Sequence, residues 1–576
     1  MKNNTKRIAA ALSALTLFCG MTPVQPVYEV ISRYAVTANA ANESDFEFIK
    51  EYGRITKYLG KDKNVVIPSQ IGGVNVKNIG YQAFQYCDAV ETVILPDTVT
   101  IIGNSAFEGC TSLKEIKIPE GIASIGNKTF FSCESLEKAT LPSTVESIGN
   151  SAFFGCTSLK SINIPECVTS IEDSAFLNCS SLEEITLPST VSGISYAVFE
   201  YCKSLKEIKI PASVTYIDEL AFFGCSGLES ITIPDSVTTI GYSAFKDCKD
   251  LKEVKIPSSV TRIDGLAFKN TLWLEEQKKK SPFVVVNGIL IDGTNCKGDI
   301  TIPSNVKVIG ASAFEECKEL TGVTIPESVT EIGNKAFYLC SSLKKASTAG
   351  QDLNIGSNAF FYTPWLDEQK EKNLPVILNN TLIDGLKCKG KVVIPANVKK
   401  ISAYAFVGNE DITSVEIPYG VTFLDNEVFG WCTNLESIVI PSSVKEITAT
   451  AFTKCTNLKT IYYTGSKEEW SKIKNDASSR SEYKDVTMVF NYEIPYTLGD
   501  IDGDGVIDAS DASTVLAAYA AAQTGKTSGL TTSQFKSADV DNNGTVDASD
   551  ASAILAYYSY VQSGNKDVSF TNFLKK

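Results

Sequence analysis

Nine aspartates, no glutamate and two lysines fall within residues 499–562, a local net charge of −7. Their spacing is regular. In DIDGDGVIDASDAS (500–513), Asp500, Asp502 and Asp504 take positions 1, 3 and 5 of a loop, and Gly505 takes position 6. Val506 offers a backbone carbonyl at position 7, Asp508 stands at 9 and Asp511 at 12. The stretch DVDNNGTVDASDAS (539–552) repeats the order with Asp539, Asp541, Asn543, Gly544, Thr545, Asp547 and Asp550. Hard oxygen donors at alternating positions, a sharp turn at 6 and a carboxylate at 12 follow the pattern of a 12-residue calcium loop. Flexible, all-oxygen ligation suits calcium better than magnesium, which keeps its waters. The expectation is two Ca²⁺, one per loop, and a segment that folds poorly without them.

The elements that must hold these loops are helical. Val515, Leu516 and Tyr519 follow the first loop, and Ile554, Leu555 and Tyr558 echo them after the second. No helix enters the first loop, because Pro495 and a predicted strand precede it. The last ligand is Asp, where an EF-hand has Glu. This loop-then-helix unit, present twice over 499–562, resembles a type I dockerin, a small all-α calcium-binding domain. The resemblance implies a cohesin module of a scaffoldin as partner. It puts positions 10 and 11 of each loop, Ala509-Ser510 and Ala548-Ser549, at the cohesin surface, together with Val515, Leu516, Ile554 and Leu555. Clostridial members more often show Ser-Thr at positions 10 and 11, which leaves the cohesin preference open. The two faces are identical here, so the module is expected to accept its partner in either of two orientations.

Most of the chain repeats at another period. From Phe84 to Phe268 every twenty-third residue is phenylalanine, and the series resumes in phase at Phe314, Phe337 and Phe360 and at Phe406, Phe429 and Phe452. A period kept this strictly predicts one solenoid coil per unit. In FEGCTSLKEIKIPEGIASIGNKT (107–129), Leu113, Ile116 and Ile118 alternate as a half-buried strand and Pro119 ends it. Ile122 and Ile125 form a second inward segment, and Gly126 is expected to permit the turn into the next coil. Over about 60–465 the recurring IPxSVTxIGxxAFxxCxSLxxI resembles BspA-like leucine-rich repeats. That family implies a solenoid with a parallel β-sheet on its concave face and a role in adhesion or in binding host proteins. The outward strand positions, Glu115/Lys117 through Glu253/Lys255, are polar and without aromatic rings. Glu184 and Glu207, on adjacent coils, are close enough to suggest a glycosidase pair, but stacked strands produce such pairs by geometry alone.

Of 16 cysteines, twelve lie three residues after a marker Phe. Stacked one per coil with parallel side chains, they suit free buried thiols better than disulfides. Two segments, 270–303 and 362–395, replace the standard unit and carry short charged helical pieces led by Trp273 and Trp365. A projecting contact site is one reading. A variant coil whose Trp covers core is the favoured one.

The net charge of −14 argues against nucleic acid, and the chain has no histidine, which removes the usual general base and zinc ligand. Lys2, Lys6 and Arg7, the apolar run 8–20 and Ala38-Asn39-Ala40 form a secretory signal too short to span a membrane. The expected organisation is a signal peptide (1–40), an N-terminal cap and first coil (41–79), the solenoid (80–465), a C-terminal cap (466–492), a linker (493–498), the dockerin (499–562) and a tail (563–576). The expected function is that of a secreted, extracellular, non-catalytic cellulosome component at the bacterial surface. Its solenoid would bind an unidentified protein or glycan. An adhesin with a calcium-stabilised cap is the alternative, and a polysaccharide-degrading enzyme is disfavoured because no catalytic segment is left over.

Overall fold

The computed structural model describes residues 41–349, 353–372, 374–475, 486–493, 496–503, 505–524, 528, 530, 532–565 and 568–575. The segment 1–40 expected to be a secretory signal, Asp504 and Pro495 lie outside these residues. The chain divides into two compact units. One runs to Val260 and includes Ala267–Leu274; the other holds Thr261–Leu266 and Glu275 onward.

Each 23-residue coil contributes two short parallel strands. Glu115–Lys117 pairs with Thr92–Ile94 on one side and Lys138–Thr140 on the other. Ser124–Ile125 pairs with Ser147–Ile148, which pairs with Ser170–Ile171. Leu113, Ile116, Ile118, Ile122 and Ile125 are all buried, as the alternation predicts. The marker phenylalanines form an internal column, with Phe107 and Phe130 at 5.5 Å and Phe153 and Phe176 at 5.4 Å between ring centroids. The N-terminal hairpin, Phe46–Ile49 with Arg54–Tyr58, starts this column by laying Tyr58 on Phe84 at 5.0 Å.

The turn around each Phe is built differently from the expectation. Gly126 opens it, accepting from Thr129 N–H at 3.3 Å and from the Thr129 hydroxyl at 2.8 Å, but not in left-handed backbone. A Cβ there would lie 2.4 Å from Asn104 Oδ1, the end of a flexible side chain, and Glu172 and Asp218 stand at the same repeat position, so the close approach favours glycine without requiring it. The left-handed residues are Lys128 (φ 55°) and Ser132 (φ 55°), on either side of Phe130. Equivalent non-glycine residues recur through the coils, including Ser151 and Asn178.

Among the described residues the cysteines are free and mostly buried. Cys110 Sγ donates to the Phe84 carbonyl at 3.0 Å, and Cys202 donates to that of Phe176 at 3.3 Å. Where the series breaks, Thr271 and Thr363 hydroxyls bond the carbonyls of Phe268 and Phe360 at 2.8 and 2.7 Å. Asn409 Nδ2 donates to Gly385 O at 2.8 Å. The cysteines and Asn409 thus reach back to the preceding coil, whereas Thr271 and Thr363 bond within their own, and in each case the position holds a buried donor. Burial pushes the thiol of Cys87 up to about 11 and that of Cys340 up to about 12. Cys167 belongs to a second ladder, where Thr144 and Ser236 hydroxyls donate to Ile122 O and Val214 O and Cys167 Sγ donates to Val145 O at 3.0 Å.

The two departures are variant coils. Helix α1 (Leu272–Lys280) brings Trp273 onto Phe268 at 4.8 Å, and helix α2 (Pro364–Lys372) brings Trp365 onto Phe360 at 4.7 Å. Each tryptophan closes the open end of a phenylalanine column. An antiparallel hairpin follows each helix, Val284–Val286 with Ile289–Asp292 and Val376–Leu378 with Thr381–Asp384. A nearly buried ion pair, Lys370 Nζ to Asp384 Oδ2 at 3.0 Å, ties α2 to its hairpin. Gly293 and Gly385 leave the space that Phe314 and Phe406 fill.

After Phe452, helix α3 (Lys467–Trp470) starts at Ser466 with a reciprocal Ser466–Glu469 cap. It sets Trp470 edge-on to Tyr463 at 5.0 Å. Thr487–Val489 adds a strand beside Thr460–Tyr463. The remaining helices are α4 (Ala509–Gln523), α5 (Thr532–Ala538), α6 (Ala548–Gln562) and α7 (Phe570–Phe573). They enclose a small core of Ile501, Ala512, Val515, Ala538, Val540, Ala551, Ile554 and Phe570.

Candidate metal centre

The two acidic loops place their carboxylates as pairs of matching clusters. Asp500, Asp502 and Asp511 bring one carboxylate oxygen each to within 4.8 Å of one another, and Asp539, Asp541 and Asp550 do the same. The last ligand of each loop organises the backbone. Asp511 Oδ1 accepts from Ile501 N–H at 2.6 Å and Asp502 N–H at 3.2 Å, and its Oδ2 accepts from Asp508 N–H at 2.9 Å. Asp550 repeats this with Val540 N–H at 2.8 Å and Asp547 N–H at 2.9 Å. The first ligand folds the loop inward, as Asp500 accepts from Gly503 and Gly505 N–H and Asp539 from Asn543 and Gly544 N–H. Gly505 and Gly544 hold φ near +85°, a turn that position 6 requires and that glycine adopts without strain.

Burial pushes the carboxyls of Asp511 and Asp550 above the usual range, opposed by the N–H groups they accept from. A buried carboxylate beside two others is relieved by a bound divalent cation, so hard oxygen donors in this arrangement fit calcium.

Asp508 and Asp547 also start the exit helices. Each caps its helix by accepting from the N–H two residues on, Ser510 or Ser549, at 2.7 Å. Their backbone angles nearly coincide, with φ/ψ of −145°/−165° and −144°/−168°. Asn543 accepts from Thr545 N–H at 2.8 Å, and Val506 is exposed at the loop tip. Asp504 lies outside the described residues.

Of the expected partner-facing residues, Ala509, Ser510, Ala548 and Ser549 are exposed at the helix starts. Leu516 and Leu555 are 43% and 42% exposed. Val515 and Ile554 are not on that surface. Both are fully buried at the centre of the helical core, and this corrects their assignment to the cohesin face. Adjacent helical residues point about 100° apart, so Val515-Leu516 and Ile554-Leu555 each split between core and solvent.

Residues beyond 562 contribute more than a tail. Phe570 packs on Tyr557 at 5.0 Å, and its ring fills the space beside Gly499, where a Cβ would lie 2.4 Å away. The start and end of the helical segment thus close on each other. A single aromatic pair in a polar stretch carried no periodic signal that could have shown this.

On the solenoid, a shallow depression of the strand face is lined by Lys160, Glu183, Glu184, Lys206, Glu207 and Glu229. The residue before each strand alternates in sign over eight coils, from Glu91 and Lys114 to Glu229 and Lys252. Glu91 meets Lys114 at 2.6 Å and Lys63 at 2.7 Å, which holds its carboxyl down at about 2. This alternation is legible in the sequence alone, at every twenty-third residue from Glu91 to Lys252.

Comparison with known proteins follows the same division. The family model "BspA type Leucine rich repeat region (6 copies)" matches residues 77–203, 169–283, 293–383 and 385–496, and "Dockerin type I domain" matches 498–557. A leucine-rich repeat protein from Bacteroides ovatus is 27% identical, over 79% of this chain and 100% of that one, with a TM-score of 0.40. A leucine-rich cell surface protein from Faecalibacterium prausnitzii is 28% identical, over 77% and 99%, with a TM-score of 0.33. A leucine-rich repeat protein of T. pallidum is 30% identical, over 37% and 91%, with a TM-score of 0.31. No curated protein matches the chain. Type I dockerins bind calcium and imply cohesin binding, and both matched families are non-catalytic binding modules. No helix among the described residues is long and apolar enough to cross a membrane. The chain belongs to the BspA-type leucine-rich repeat family and carries a C-terminal type I dockerin domain.

Proposed function

We propose that the protein is a secreted, non-catalytic component of a cellulosome-type assembly. Its dockerin binds two Ca²⁺ through Asp500, Asp502, Asp504, Val506, Asp508 and Asp511 and through Asp539, Asp541, Asn543, Thr545, Asp547 and Asp550. In that state it docks a scaffoldin cohesin through Ala509, Ser510, Leu516, Ala548, Ser549 and Leu555. The solenoid serves as a protein- or surface-binding module. The observation that carries this reading is the pair of matching carboxylate clusters, each followed by a 15-residue helix with the same cap. A calcium-stabilised cap needs no such duplication. The near-identity of the two loop–helix units supports docking in either of two orientations.

The test is retention of the full chain on immobilised cohesins from the host's scaffoldins, with calcium and with EDTA. Retention on at least one cohesin in calcium, released by EDTA, is the expected result. Absence of calcium-dependent retention on every cohesin contradicts the proposal and favours an adhesin with a calcium-stabilised end.

A further inference from the structure

The last coils carry a different outward face from the charged coils of residues 115–255. Strands Gly390–Val393, Ile412–Glu416, Ser437–Ile440, Thr460–Tyr463 and Thr487–Val489 form one parallel sheet in that order. Val415, Ile438 and Ile461 are buried, so their neighbours along each strand point outward. The register aligns Val393, Glu416, Val439, Tyr462 and Val489 in one outward column. Ser414, Ser437, Thr460 and Thr487 form a second column of hydroxyls beside it, about 4.8 Å apart from strand to strand.

Tyr492 folds back onto this face. Its N–H donates to Tyr463 O at 3.0 Å, and its ring lies 4.4 Å from that of Tyr462. Glu416 sits between two valines, with Lys391 Nζ at 3.8 Å. Burial pushes its carboxyl up, opposed by Lys391. The Tyr492 phenol is raised by burial, then by Tyr462 and Glu416, and the register puts Glu416 two strands from Tyr462 in the same outward column.

The chemistry of this face selects its ligand. Lys391 and Glu416 cancel, so a polyanion or polycation meets no net opposite charge. Of the apolar side chains in the column only Val393 is more than a third exposed, at 39%, so little apolar surface is offered. A stable protein interface needs about 800 Å² per partner with an apolar centre. Aromatic rings, one half-buried carboxylate and a row of hydroxyls that both donate and accept suit a neutral, hydroxyl-rich chain. We propose that the face around Tyr462, Tyr492 and Glu416 binds a neutral polysaccharide. Sugar C–H faces lie on the tyrosines, and sugar hydroxyls pair with Glu416 and with the Ser/Thr column. The proposal does not rest on the dockerin reading.

The experiment is affinity electrophoresis of the full chain in gels containing hydroxyethylcellulose, mixed-linkage β-glucan or xyloglucan, with polygalacturonate as the charged comparison. Retardation by at least one neutral polymer and none by polygalacturonate is expected. Tyr492→Ala lowers affinity at least about tenfold. Glu416→Gln weakens it several-fold, and Trp431→Ala, an exposed ring elsewhere, leaves it unchanged. Thermal melting by circular dichroism establishes that each variant folds. If Tyr492→Ala does not fold, Tyr492→Phe, expected to bind, and Glu416→Gln, expected to bind less, decide the matter. No retardation in any neutral gel, retardation by polygalacturonate alone, or wild-type affinity in both a folded tyrosine truncation and Glu416→Gln overturns the proposal.

Discussion

Two repeats share this chain and solve opposite problems. The 23-residue repeat satisfies itself. Phe rings stack on Phe rings, Cys110 donates to Phe84 O, and Glu91 meets Lys114 and Lys63. Each coil supplies what the next coil needs. The acidic loops do the reverse, each bringing three carboxylate oxygens to within 4.8 Å of one another. A repeat that is complete within itself gives shape and extent. A repeat that gathers carboxylates suits a cation supplied from outside, and in the proposed function the loops so ordered present the partner face.

The comparison can be broken most sharply at the partner face. Replacing Ala509, Ser510, Ala548 and Ser549 together by Glu adds bulk and charge to both faces while remaining compatible with a helix start. Cohesin retention should disappear, with calcium binding by titration unchanged. Replacing only Ala509 and Ser510, or only Ala548 and Ser549, should leave affinity within a few-fold, because one intact face remains. If either pair alone abolishes binding, the two faces are not equivalent.

Next in size is the solenoid core. Phe176→Ala removes one ring from a continuous column and should cost about 3–5 kcal/mol in chemical denaturation. Calcium affinity should not change. A change in calcium binding would mean the two repeats are coupled. A smaller effect belongs to the thiol ladder. Cys179 Sγ donates to Phe153 O at 3.2 Å, and Cys179→Ala should cost about 1–2 kcal/mol through the lost bond and the small void. The native protein should resist alkylation at pH 8 at its ladder thiols, because burial raises them far from the thiolate form. Rapid labelling without denaturant would contradict the closed ladder. Smallest is Lys252→Ala, whose exposed pair with Glu229 at 2.7 Å is screened by solvent, so the denaturation midpoint should stay within measurement error.

Much of this was legible in the sequence, because period encodes geometry. The Phe spacing specified one coil per unit and the strand alternation specified the buried Leu and Ile positions, while of the spaced aspartates Asp500, Asp502 and Asp511, and Asp539, Asp541 and Asp550, converge and Asp508 and Asp547 cap helices. What stayed hidden depends on contacts between unlike segments. Lys128 and Ser132 adopt left-handed backbone with no residue type to announce it. Gly126 marks where the turn starts but not which residues carry its left-handed backbone. Val515 and Leu516 are equally apolar, and only packing decides which is core. Tyr492 lies outside the repeat phase, and its stacking on Tyr462 depends on the path of the chain after the last strand.

The most direct test of the contrast is calorimetry of the full chain in calcium and in EDTA. Two transitions should appear in calcium. In EDTA the smaller one, from the helical domain, should fall or vanish, and the solenoid transition should stay in place. A solenoid transition that moves with calcium, or a helical transition indifferent to it, would contradict the account.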